Sequence, residues 1–173
     1  MSKHPSTRQA RLARLAVVLM VVLAALGAAW YGVSSEVHQR IWRDILDRPG
    51  GPMTFRFILQ PLMAMVAAVR DGFADARTGR SPYLWTMLSH PPERGGRLRE
   101  GIVATARIIL LGLGMDAIYQ AIVLKTFYPG ETVIIAVLLA FVPYVLLRGP
   151  AARFAQWWRP EAARGVDGSR GDP

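Results

Sequence analysis

Apolar residues fall in four long runs along this chain, separated by arginine-rich stretches. A helix that crosses a membrane needs about 20 mostly apolar residues. Residues 15–33, "LAVVLMVVLAALGAAWYGV", carry no charge and end in Trp30 and Tyr31, side chains suited to the headgroup level. Residues 52–69, "PMTFRFILQPLMAMVAAV", form the weakest run, interrupted by Arg56, Gln60 and Pro61. Residues 101–124 hold Arg107 and Asp116, and residues 132–147, "TVIIAVLLAFVPYVLL", are short and free of charge. The pattern predicts an all-α integral membrane bundle of four spans. A tight antiparallel hairpin joins the last two through "KTFYPGE", where Pro129-Gly130 signals a turn.

The connecting stretches predict further elements. Residues 36–48 place Val37, Ile41, Trp42, Ile45 and Leu46 on one helical stripe, as in a short amphipathic helix on a membrane surface. Its charges nearly cancel, which reads as a solvated face. Residues 83–88, "YLWTML", suit a dip into the interface, and Pro91-Pro92 marks the start of the third helix. Residues 153–159, "RFAQWWR", suit an interfacial anchor, and the tail from Pro160 has a disordered composition. The organisation expected is a basic cytoplasmic segment 1–14, a membrane domain 15–150, and an anchor with a cytoplasmic tail 151–173. Residues 1–33 have an alternative reading as a cleaved signal peptide, because "LGAAW" offers small residues near a cut.

Charge fixes an orientation. The chain has 173 residues and a formal charge of +9, and its only lysines are Lys3 and Lys125. Cytoplasmic loops carry the excess of Lys and Arg. With four spans and both ends in the cytoplasm, 15 of the 21 basic residues lie inside and 4 outside. If residues 52–69 did not cross, the six arginines of 70–100 would face outward, so the count favours four spans. Basic residues flanking apolar runs imply anionic lipid at the cytoplasmic face as the partner, not nucleic acid.

Composition excludes several chemistries. There is no cysteine, hence no disulfide, thiolate or cysteine metal site. His4, His38 and His90 lack ligand spacing, so neither metal nor other cofactor is expected. Ser–His–Asp sets and phosphate loops are missing too, and no catalytic role is assigned.

Two polar groups stand out. Asp116 lies eight residues from the outer end of its span, roughly 12 Å deep, and Arg56 lies roughly 6 Å deep in the second. An unpaired charge inside the bilayer costs about 2.5–3.5 kcal/mol on insertion scales. The two are therefore expected to pair, with Gln60 and Tyr119 as hydrogen-bond partners and Gln120 on the same stripe; a protonated Asp116 is the alternative. Arg107 can snorkel to the surface. Gly114, Ala117 and Ala121 form a small-residue face suited to close helix contact. The second group is Asp71, Asp75, Arg77 and Arg80, expected to pair locally on a cytoplasmic helix end, with Arg70 as a further partner, or to cap the turn.

"DGFADAR" resembles, at a distance, the D-x-x-D-G-x-x-A-R signature of the CDP-alcohol phosphotransferases. It departs at three points: Ala68 stands at the leading aspartate, three residues separate Gly72 from Ala76, and the later paired aspartates are absent. "FRFILQP", "AVRDGFADARTGRSPY", "MDAIYQAIVLKTFYPGE" and "VPYVLLRGP" resemble a group of small uncharacterised bacterial integral membrane proteins over residues 55–150. That likeness implies a bacterial cytoplasmic (inner) membrane protein and carries over no activity. The expected role is a non-enzymatic membrane component that packs with itself, as a homo-oligomer, or with a partner protein. The alternative is a small transporter or channel subunit using Arg56, Gln60 and Asp116.

Overall fold

A computed structural model describes residues 6–158 as helices joined by short connections, with no strand among them. Lys3, His4, Arg159 and the tail from Pro160 lie outside the described residues. Four helices are long and apolar enough to cross a membrane: α1 (Thr7–Tyr31), α3 (Arg56–Arg77), α5 (Pro91–Leu124) and α6 (Pro129–Trp157). Two shorter ones, α2 (Ser35–Asp47) and α4 (Tyr83–Ser89), fill the connections. The chain is an all-α bundle, and α3 is the least apolar of its long helices.

The helices outrun the apolar stretches that predict them. A capping box between Ser6 and Gln9 starts α1, so Arg8, Arg11 and Arg14 ride on the helix itself. Arg56 opens α3, and the helix continues to Arg77, well past Val69. Helix α6 runs on through "RFAQW" as far as Trp157, with Trp158 as its C-cap, so the expected anchor forms its last turns. Pro129-Gly130 is not the turn. Lys125, in the left-handed region at φ 54°, ends α5, and Pro129 occupies the first position of α6, where its missing N–H costs nothing. Two widened i→i+5 turns interrupt the long helices, at Gln120–Leu124 and at Val137–Phe141. The second precedes Pro143, which cannot donate a helical hydrogen bond.

Helices α5 and α6 pack together at the centre, with α1 against both on one side and α3 along α6 on the other. The α3–α6 seam is built from buried residues four apart, all of them small on the α3 side. Ala64, Ala68, Gly72 and Ala76 of α3 are buried, as are Ala136, Ala140, Tyr144, Arg148 and Ala152 of α6. Such ridges let backbones approach closely. A Cβ on Gly72 would stand 2.7 Å from the Arg148 carbonyl oxygen and 2.8 Å from the Ala151 Cβ. Gly72→Ala should therefore push the helices apart and cost about 1–3 kcal/mol in a thermal or denaturant melt. Gly114→Ala, with nothing within 4 Å, should leave the melt unchanged or slightly improved. Equal effects at the two glycines would contradict the seam. The small face of Gly114, Ala117 and Ala121 is not part of this packing: Gly114 and Ala121 are exposed and Ala117 is half-buried.

Candidate functional site

The buried charges form two networks, one near each end of the bundle. At the first, Asp116 is fully buried and accepts hydrogen bonds from both Arg48 and Arg56, themselves 3% and 1% exposed. Its second oxygen takes a 2.6 Å bond from the Gln120 amide. Arg48 also donates to Glu131, at 2.8 Å, and Arg40 reaches the other Glu131 oxygen at 3.3 Å. The Gln120 amide nitrogen donates further to Thr132, at 3.0 Å, and its oxygen accepts from the Tyr128 backbone N–H. This stitches the end of α5 to the start of α6.

Local structure explains who arrives there. Arg48 directly follows α2, at the start of a 3-10 turn, so α2 is not a free surface helix. It delivers Arg40 and Arg48 inward, while Trp42 and Leu46 of the expected stripe remain exposed and Ile45 is buried. Glu131 sits in the first turn of α6, where the helix dipole favours an acid. Tyr119 is buried but contributes its ring rather than its hydroxyl. The Arg48 and Arg56 guanidinium carbons lie 5.1 and 5.6 Å from its centroid, within cation–π range. Gln60 is fully buried one turn below Arg56, and neither amide atom has a hydrogen-bond partner among the described residues. Its Nε2 faces Gly112 instead, 2.7 Å from where a Cβ there would stand.

At the second network, the expected local pairing gives way to pairing between helices. Arg148 of α6 grips Asp75 of α3 with two hydrogen bonds, 2.8 and 3.1 Å. The same guanidinium donates to Glu100 of α5 at 3.1 Å and to the Tyr144 hydroxyl at 2.8 Å. Tyr144 in turn donates to Asp71 at 2.7 Å. Arg80 bonds Glu100 at 2.9 Å and approaches Asp75 at 3.5 Å; Arg97 lies 3.5 Å from Glu100 and 3.7 Å from Asp75. Arg70 and Arg77 are exposed and make no ion pair among the described residues. Tyr83 of α4 closes the network, donating to the Arg97 carbonyl at 2.6 Å with its ring 4.4 Å from the Arg148 guanidinium. Burial pushes the Tyr83 phenol up to about 12, so it stays protonated and donating at physiological pH.

Between the networks lies an apolar layer of Ala64, Ala68, Ala106, Ile109, Leu113, Ala136 and Ala140. Arg56 and Asp75 are nineteen residues apart on α3, so at 1.5 Å per residue the layer spans roughly 28 Å. That matches a hydrocarbon core of about 30 Å. Arg107 points out of the bundle and is exposed.

Arg56, Asp116 and Gln120 are joined directly, and Asp75 and Arg80 share the second network with Asp71 one hydroxyl away. Arg40, Arg48, Glu131 and Thr132 at the first network, and Tyr83, Arg97, Glu100, Tyr144 and Arg148 at the second, are participants that sequence reasoning missed. One usable signal was present: Asp71 and Asp75, and Tyr144 and Arg148, are each spaced four apart, so facing helices can pair twice. No protein-family model, curated protein or solved structure matches the chain.

Proposed function

We propose that this chain is a multi-pass protein of the bacterial cytoplasmic membrane that acts as a non-enzymatic component, packing with itself or with a partner membrane protein. The observation that carries the reading is that the buried acids of both networks are engaged by arginines, an amide or a tyrosine of the same chain. Groups held this way lock helices together and are poorly placed to attack or to hold a substrate. The excess of arginine in 70–100 supports a cytoplasmic position for the Asp75 network and the opposite side for the Asp116 network. The exposed face of Gly114, Ala117 and Ala121 is the surface offered to another helix. Cysteine placed at Ala121 should give a disulfide-linked dimer or a heterologous adduct in native membranes. A return of monomer alone, at this and neighbouring positions, would count against the packing role.

A second reading, as a small transporter or channel subunit, is favoured by the unpartnered Gln60 amide beneath Arg56 and Asp116. The apolar layer separating the two networks weighs against a continuous polar path. Its discriminator is pH- or ion-dependent flux in liposomes that Asp116→Asn abolishes.

A further inference from the structure

A shallow groove of about 340 Å³ runs between the ends of α3 and α6, on the outside of their seam. Phe73, Ala76 and Arg77 line it from α3; Phe154, Ala155 and Trp158 line it from the end of α6. We propose that this groove holds one acyl chain of an anionic glycerophospholipid, with the phosphate seated on Arg77. The inference rests on the membrane reading above and is independent of which face is cytoplasmic.

Two observations select that occupant. The first is position: the groove opens at the level of the Asp75 network, one edge of the apolar layer. Phe154 there packs against both Trp157 and Trp158, with ring centroids 6.2 and 5.7 Å apart. Tryptophan is enriched at that depth because its ring is apolar and its N–H is polar. The second is charge. At this end Arg80, Arg97 and Arg148 are occupied by Asp75 and Glu100. Among the described residues, Arg77 has no acid partner and is the one charged side chain lining the groove. A guanidinium with no acid partner among the described residues, at the mouth of an apolar slot, complements a molecule with an anionic head and an apolar tail. Its planar fork also matches two phosphate oxygens. The volume lies at the small end of ligand sites, which run from about 300 to 1,000 Å³. It suits part of one chain rather than a whole lipid.

The test uses the full chain purified in detergent and titrated with phosphatidylglycerol or phosphatidylcholine under native mass spectrometry. Wild type should bind one phosphatidylglycerol about fivefold more tightly than phosphatidylcholine, the scale of one basic residue at a charged membrane surface. Arg77→Gln should erase that preference while leaving the elution profile unchanged. Phe154→Ala should weaken both lipids alike. Equal affinity for the two lipids in wild type, or a preference that survives Arg77→Gln, overturns the proposal. So does a dimer peak that Phe154→Ala removes, which would assign the groove to a second copy. If the protein stays in solution without detergent, the membrane reading itself fails. A detergent-dependent protein with no lipid preference sinks this inference alone.

Discussion

Arg148→Met is expected to leave much less folded protein than any other single change at the Asp75 end. Arg148 joins three helices at once, through Asp75 on α3, Glu100 on α5 and Tyr144 on its own helix. Methionine keeps much of the volume and removes every donor. Asp75 is 3% exposed and would keep only the longer contacts to Arg80 and Arg97. Removing one partner of a buried ion pair costs about 3–5 kcal/mol, because the other charge is left uncompensated. That is a large part of the 5–15 kcal/mol typical of whole-protein stability. The melting temperature should drop on the order of 10 °C. Adding Asp75→Asn should recover part of the loss, since the stranded charge is then gone. A double variant as poor as the sum of its parts would place the damage in packing rather than in charge.

Asp116→Asn should be comparably severe, and its rescue is specific. Asp116 answers two arginines, but they are not equivalent. Arg48 retains Glu131 when the aspartate is neutralised; Arg56 retains no acid among the described residues. Arg56→Gln added to Asp116→Asn should therefore restore folded protein. Arg48→Gln added to Asp116→Asn should make matters worse, because it strips Glu131 of its buried partner and leaves only Arg40. Fluorescence-detected size exclusion of the three variants reads both effects. Equal rescue by the two glutamines would mean that Arg56 is not the stranded group. Because the residues touch, the singles are not expected to add.

How far the sequence discloses this architecture depends on the range of the interaction. Four spans are legible because a mostly apolar run of about twenty residues has few other fates, even with a charge or two inside it. Their ends are less so: Arg8, Arg11, Arg97 and Arg153 read as loop residues yet ride on helical turns. The Arg56–Asp116 contact can be read from depth alone, because each charge lies within reach of the other across a helix pair. Arg48 and Glu131 escape that logic. They sit in segments that look like surface, and the fold then buries them. Asp75 and Arg148 are 73 residues apart, so local spacing points to the nearer Arg70, Arg77 and Arg80, of which only Arg80 joins the network. Gly114, Ala117 and Ala121 form a small-residue face on α5, yet the packed series is Ala64, Ala68, Gly72 and Ala76 of α3, equally visible in the sequence. Gln60 lies four residues from Arg56 and Tyr119 three from Asp116, but spacing does not say whether an amide finds a partner or a tyrosine offers its ring.

The central claim is that α3 crosses the membrane and sets the two networks on opposite faces. The chain has no cysteine, so single cysteines at Ser35 and Ser81, both exposed, can be probed in intact cells with an impermeant thiol reagent. The account predicts that position 35 labels and position 81 labels only after the membrane is permeabilised. Labelling of both positions in intact cells would put the two networks on one side and contradict it.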